Sequence, residues 1–185
     1  MTIDTDLMLA AALVLAAFTP LAAIDGLYIH LWKLRLHQRP EARREHALHT
    51  ARAVLFAPLA LLLFAIPSAG PLLWAGVAVA VADTAVELWD VFVESDSRRA
   101  LGGLSRGEYV LHVVLTIFRS SAIALALAAR PAEAWAWDAP AVLAGTSELA
   151  SAIGTNLVPG AVILAALHVW LGVRGARVVG TGAQA

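Results

Sequence analysis

Cysteine is absent from this 185-residue chain. That absence excludes disulfides, iron–sulfur clusters, thiolate-ligated haem and cysteine nucleophiles together. Charge is scarce as well: 15% of residues are charged, and the formal net charge is -1. Soluble domains carry about 25% charged residues, so an ordinary soluble domain is disfavoured. Nucleic acid is not expected as a partner either, because its binding rests on a strongly basic surface. No Gly-x-Ser-x-Gly elbow or nucleotide loop occurs, which leaves no sign of serine hydrolase or ATP chemistry. What is abundant is apolar: 60% of residues are hydrophobic. Six histidines in so apolar a chain are the first pointer to chemistry.

A membrane-spanning helix needs about 20 mostly apolar residues. Five stretches qualify, at roughly 7–34, 50–68, 71–94, 108–129 and 157–174. The expected fold is an all-α integral membrane protein of about five transmembrane helices, in one domain over 1–177. The first four would form a four-helix bundle, with the fifth outside it or capping it. The Pro67–Pro71 turn allows only an antiparallel hairpin between helices two and three. Asp4, Asp6 and the length of the first apolar run argue against a signal peptide, so that helix is read as retained.

Basic residues gather at one end of the helices: Lys33, Arg35, Arg39, Arg43, Arg44 and Arg52, then Arg98, Arg99 and Arg106, then Arg174 and Arg177. The segment 130–156 holds only Arg130. The positive-inside rule therefore predicts an inner or plasma membrane protein with its N-terminus outside and its C-terminus cytoplasmic. In the outer segment 130–156, Trp135 and Trp137 read as interfacial anchors and 139–153 as a short surface helix. The tail 178–185 reads as flexible.

Two stretches match each other. His30-Leu31-Trp32, a basic loop and Glu45-His46-Ala47-Leu48-His49 correspond to Glu87-Leu88-Trp89, a basic loop and Glu108-Tyr109-Val110-Leu111-His112. The match predicts two parallel repeated hairpins, at 23–66 and 80–129, about a pseudo-twofold axis along the membrane normal.

Ionisable residues inside a membrane are costly and are functional candidates by default. Asp83, Glu87, Asp90 and Glu94 share one face of the third helix, and four like charges there need cations, protons or a metal. Helix two puts Glu45, His49 and Arg52 on one face, and helix four does the same with Glu108, His112 and Arg119. On the first helix, Asp25 and His30 stand about 140° apart at α-helical pitch. That angle keeps them from one centre and places Asp25 with Tyr28 and Trp32. Helix five adds His168. Asp83 and Arg119 lie at matching depth and read as a structural ion pair, with Asp25 a second partner for Arg119. The outer halves of the helices are nearly free of charge. The polar groups therefore form one cluster opening to the cytoplasm, which weighs against a channel or carrier.

Carboxylates and imidazoles together suit iron, manganese or zinc. Two-metal centres in four-helix bundles use a carboxylate on two helices and a Glu/His pair on the other two. Residues 23–119 resemble that plan, with Glu45/His49 and Glu108/His112 as the pairs, Glu87 on helix three and His30 in place of a carboxylate. Asp90 is a further ligand or a partner of a ligand imidazole. The resemblance is to an architecture. It departs in spacing, i to i+4 where soluble di-iron proteins use i to i+3, and it lacks the histidine boxes of membrane desaturases. The expected metal ligands are thus His30, Glu45, His49, Glu87, Asp90, Glu108 and His112, with Asp90 and Glu87 also as catalytic groups. The expected cofactor is a pair of transition-metal ions, iron first, zinc or manganese otherwise. The expected activity is oxidation, hydroxylation or desaturation of a membrane lipid or lipid-soluble small molecule near the cytoplasmic face, served by an electron donor. Self-association stays open. Alternatives are a zinc-dependent lipid hydrolase, a haem or electron-transfer protein, and a divalent-cation or proton carrier.

Structural readings compete with several of these roles. Ser105 and Glu108 have capping-box spacing. Glu45 lies among arginines. His37 and His46 border the basic loop and read as solvent-facing or phosphate-bound. His168 precedes Trp170 and reads as interfacial. Glu94 reads as a headgroup-level partner of Arg98 or Arg99.

Overall fold

The first helix begins where the Asp4 carboxylate accepts hydrogen bonds from the backbone N–H groups of Asp6 and Leu7, at 3.1 and 3.0 Å. This is N-capping of donors that have no partner inside the helix. The computed structural model describes residues 2–99, 101–145 and 147–182, with side chains to Gly175. Five helices follow one another: α1 (Thr5–Ala23), α2 (Arg43–Ala60), α3 (Gly70–Arg99), α4 (Arg106–Ala128) and α5 (Glu148–Gly182). No strand occurs among the described residues. All five helical spans are long and apolar enough to cross a membrane. Both α2 and α5 begin earlier than the apolar runs suggest, because a helix can start in polar sequence that a hydropathy window passes over.

Two of these rods change winding. α1 continues as a π-helix over Ile24–Lys33, and α2 ends in a π-helical turn over Leu61–Ala65. Each follows a proline in the preceding helix, Pro20 or Pro58. Proline lacks the N–H that the α ladder needs and crowds the carbonyl four residues back, so the ladder relaxes to i→i+5 bonds. The bonds from Leu34 N–H to Ile29 O and from Ile66 N–H to Leu61 O, both 2.9 Å, close the two segments.

α1 packs along α4, while α2 packs along both α3 and α5. α5 also meets α1. The fifth helix is therefore a wall of the bundle, lying against α1 and α2, where the sequence suggested a helix outside or capping it. Small side chains allow this closeness: Ala11, Ala12, Ala122 and Ala126 are fully buried where α1 meets α4. Gly154 serves α5 in the same way, since a Cβ there would lie 2.6 Å from the backbone carbon of Phe64. The apolar core, including Met8, Leu15, Leu63, Phe64 and Leu73, occupies the half of the bundle near the Pro67–Pro71 turn.

The segment after α4 caps that half. Arg130 is buried and donates to Ala126 O and Leu63 O at 2.6 and 2.9 Å, tying α4 to the end of α2. Burial lowers its guanidinium to about 10, which leaves it charged at neutral pH. Trp135 stacks edge-on against Trp74 and accepts its indole N–H at 3.0 Å, whereas Trp137 is exposed. Residues 139–145 do not form the expected surface helix. They run extended along the turn, with Ala69 N–H bonded to Ala141 O and Leu143 N–H to Pro67 O. Pairing with the turn satisfies the backbone here, and 148–153 already belong to α5. The α5 helix reaches Gly182, into the stretch read as a flexible tail, and 183–185 lie outside the described residues.

α3 is inside-out. Asp83, Glu87, Asp90 and Glu94 are buried, while Leu88, Trp89, Val91 and Phe92 are exposed.

Candidate metal centre

The π-helical stretch of α1 sets the site. Successive i→i+5 bonds bring residues five apart onto one side, so Asp25 and His30 both turn inward and both are buried. His30 Nε2 lies 3.6 Å from Asp25 Oδ1. The α-helical angle that separated them does not apply. Tyr28 and Trp32 stay together on the outer side, rings 5.2 Å apart, without Asp25.

Around His30 the other helices contribute donors. His49 of α2 stands against it with ring centroids 4.1 Å apart, and His112 of α4 at 5.8 Å. Each of these two histidines reaches a carboxylate on another helix: His49 Nε2 lies 3.0 Å from Asp90 Oδ2, and His112 Nε2 lies 3.0 Å from Asp25 Oδ1. His112 Nδ1 lies 3.2 Å from Glu94 Oε2. Asp25, His30 and His112 can bring one ligand atom each within 4.8 Å of one another, and so can His30, Glu45 and His49. His30 belongs to both groups. A cavity of about 50 Å³ adjoins them, lined by Asp25, His49, Glu87, Asp90, Glu94 and His112 among others.

Donor chemistry fits a transition metal. Ligands bonded at about 2.1 Å and set at right angles to tetrahedral angles have donor atoms about 3.0–3.4 Å apart. Within the first group, His112 Nε2 and His30 Nε2 lie 3.0 and 3.6 Å from Asp25 Oδ1, at or close to that range. His30 supplies the discriminating detail: it is 1% exposed, and neither of its ring nitrogens has a hydrogen-bond partner. Buried polar atoms are nearly always satisfied. Asp90 Oδ1 and Glu94 Oε1 are also buried without a hydrogen-bond partner.

Arginines bound the centre on two sides. Towards the basic loops, Arg98 is 1% exposed and bonds Glu45 through Nη2 and Nε at 2.7 and 3.0 Å. It also meets Glu108 at 3.4 Å and Glu94 at 3.5 Å. Ser97 donates to the other Glu45 oxygen. Glu108 completes its capping box as well, accepting from Ser105 N–H at 3.4 Å while Ser105 Oγ accepts from Glu108 N–H at 3.2 Å. Deeper in the bundle, Arg119 donates to both Asp83 and Glu87. Thr116 Oγ1 donates to Glu87 at 2.7 Å, and Arg52 approaches Glu87 at 3.4 Å and Asp83 at 3.7 Å.

Of the seven expected ligands, His30, His49, Asp90 and His112 are gathered at the centre. Glu45 is shared between the centre and Arg98, Glu108 faces Arg98, and Glu87 lines the small cavity while held by Arg119. The expected Asp83–Arg119 pair is present, and Asp25 goes to His112 instead of Arg119. Asp25 and Glu94 join the centre unexpectedly, Asp25 through the π-winding. Arg98 was visible as the next step of the α3 acidic face, four residues after Glu94.

Two of the remaining histidines are not at the surface, whereas His37 is only half-buried beside Gln38. His46 and His168 are buried with stacked rings 5.7 Å apart, and His37 lies 5.9 Å from His46. His46 and His168 turn inward because α5 packs on α2 at Gly172, where a Cβ would sit 3.3 Å from His46 Nε2. Trp170 remains exposed beneath Arg174.

The matched halves of the sequence behave alike in part. Glu45 and Glu108 both meet Arg98, His49 and His112 each meet an aspartate on another helix, and Trp32 and Trp89 both face outward. His30 and Glu87 diverge, to the centre and to the arginine cluster. No protein-family model, curated protein or solved structure matches the chain.

Proposed function

We propose that this chain is an integral membrane oxidoreductase that holds two transition-metal ions, iron first, and oxidises a lipid-soluble substrate near the cytoplasmic face. The membrane reading rests on the inside-out α3. Burying four acids while exposing Trp89 and Phe92 is sensible only where the surroundings are apolar. The basic loops orient it with the N-terminus outside. The similar surroundings of Glu45/His49 and Glu108/His112 favour two repeated hairpins.

One observation carries the metal reading: buried His30, with both ring nitrogens unpartnered, belongs to two ligand groups at once. The first group is Asp25, His30 and His112, and the second is His30, Glu45 and His49. Asp90 and Glu94 back His49 and His112, orienting their rings and raising their basicity as ligands. A bound iron pair supplies oxygen activation, drawing on an external electron donor. Around it the chain's own residues fix ligand geometry, and the apolar core above keeps water out. Glu87 and Asp90 line the small cavity; Asp90, with Oδ1 unpartnered, is the carboxylate placed to hold or move a proton there, while Glu87 is committed to Arg119 and Thr116. Arg98 and Arg119 neutralise the acids around the metal positions, Arg98 sharing Glu45 with the second group.

Three imidazoles in one place also suit zinc, with a carboxylate as base for hydrolysis of a lipid ester or amide. Elemental analysis and an absorption spectrum of the purified protein separate these readings. About two irons per chain without a Soret band supports the oxidoreductase. Zinc alone moves the assignment to a hydrolase, and a Soret band to haem. Protein from metal-replete medium that carries no transition metal overturns the proposal.

A further inference from the structure

A cleft of about 410 Å³ opens sideways between α1 and α5, within the range of about 300–1,000 Å³ that small-molecule sites occupy. Its walls are apolar, with Phe18, Ala22, Leu27, Ile163, Leu164 and Leu167 among them. At the rim Ile163 is 70% exposed, at mid-helix, so the mouth faces the level of hydrocarbon. At its inner end the cleft shares Asp25, His49, Arg52 and Leu115 with the small cavity of the candidate metal centre.

Arg52 is the least engaged cation there. Arg119 binds Asp83 and Glu87 closely, while Arg52 only approaches them, its Nε 3.7 Å from Asp83 and its Nη2 3.4 Å from Glu87, with a hydrogen bond to neither. Two guanidinia already balance those two carboxylates. A hydrogen-bond acceptor without charge can use the spare N–H groups and leave that balance intact, whereas a carboxylate would add an uncompensated charge in a buried place.

We infer that this cleft is the substrate site, and that it takes an uncharged long-chain acyl compound. Its chain lies between α1 and α5, and its carbonyl oxygen accepts from Arg52. The inference rests on the oxidoreductase reading for its catalytic meaning. Occupancy of the cleft, however, does not depend on metal and is tested without it.

Gly160 lines the cleft, and a Cβ built on it meets nothing within 4 Å. Gly160→Phe therefore fills the space without forcing the backbone. The probes are methyl palmitate, palmitic acid and hexadecane, each carrying a mid-chain diazirine. They are photolysed with the protein in phosphatidylcholine nanodiscs, with and without metal. The ester should label peptides of α1 and α5 about equally in both metal states. Gly160→Phe should lower that labelling roughly tenfold or more with metal content unchanged. The ester should exceed both the acid and the alkane, and Arg52→Lys should bring it towards the alkane level.

Labelling spread evenly over all outward faces, or indifferent to Gly160→Phe, overturns the site. Acid labelling above ester overturns the uncharged head, and ester equal to alkane overturns the role of Arg52. Cleft labelling in a protein that never holds metal would overturn the catalytic reading and leave the site standing.

Discussion

Arg98→Met removes one buried guanidinium from three carboxylates. Arg98 is 1% exposed, and Glu45 is fully buried with Arg98 nitrogens at 2.7 and 3.0 Å. Glu108 and Glu94 are nearly as enclosed, at 3.4 and 3.5 Å. Breaking a buried ion pair from one side costs about 3–5 kcal/mol, because the partner is left charged in a low dielectric. That corresponds to a loss of roughly 100- to 4,000-fold in the folding equilibrium. In a chain of this size it amounts to a fall of about 6–20 °C in Tm. Circular dichroism melts in detergent micelles measure it. The cost should depend on the acids, so Arg98→Met combined with Glu45→Gln and Glu108→Gln should recover more than half of the loss. A single variant within about 0.5 kcal/mol of wild type would refute the reasoning, since it would mean that Arg98 is solvated. So would a triple variant no better than the single one, because the loss would then come from packing rather than from stranded charge.

Two further outcomes test other parts of the bundle. Arg119→Leu strands Asp83 and Glu87 in the same way and should lower thermal stability by about 3–5 kcal/mol, while adding Asp83→Asn should restore part of it. Gly154→Val places side-chain atoms against the backbone of Phe64 and should cost about 1–3 kcal/mol as overpacking, read by the same melts, whereas Gly160→Val should cost far less.

The fold was legible where hydropathy and capping decide it. Long apolar runs mark the five helices, Ser105 and Glu108 mark the start of α4, and matched depth pairs Asp83 with Arg119. The site was legible in its histidines, because His49 and His112 recur at matched positions. Asp25 was misplaced for a physical reason: angles on a helix were counted at α pitch, while Pro20 precedes a π-helical stretch that winds residues five apart onto one side. His46 and His168 were read as surface groups because nothing in composition reveals that α5 packs against α2. Segment 139–145 was expected to open a surface helix over 139–153, but its backbone pairs with the turn at 67–69, a long-range contact that local propensity does not encode. Arg98 looked like a loop base because it sits among Arg99 and Arg106, and only its register with Glu94 shows that it points inward.

The central claim is that His30 would be shared by two metal positions as an imidazolate, its ring proton lost and one nitrogen serving each, and metal stoichiometry of histidine variants tests it most directly. Inductively coupled plasma mass spectrometry on purified wild type and on His30→Ala, His49→Ala, His112→Ala and His37→Ala variants gives the comparison. Wild type should carry about two metals per chain and His37→Ala the same. His49→Ala and His112→Ala should each lose metal, and His30→Ala should lose the most. Equal metal content in all five proteins would contradict the account.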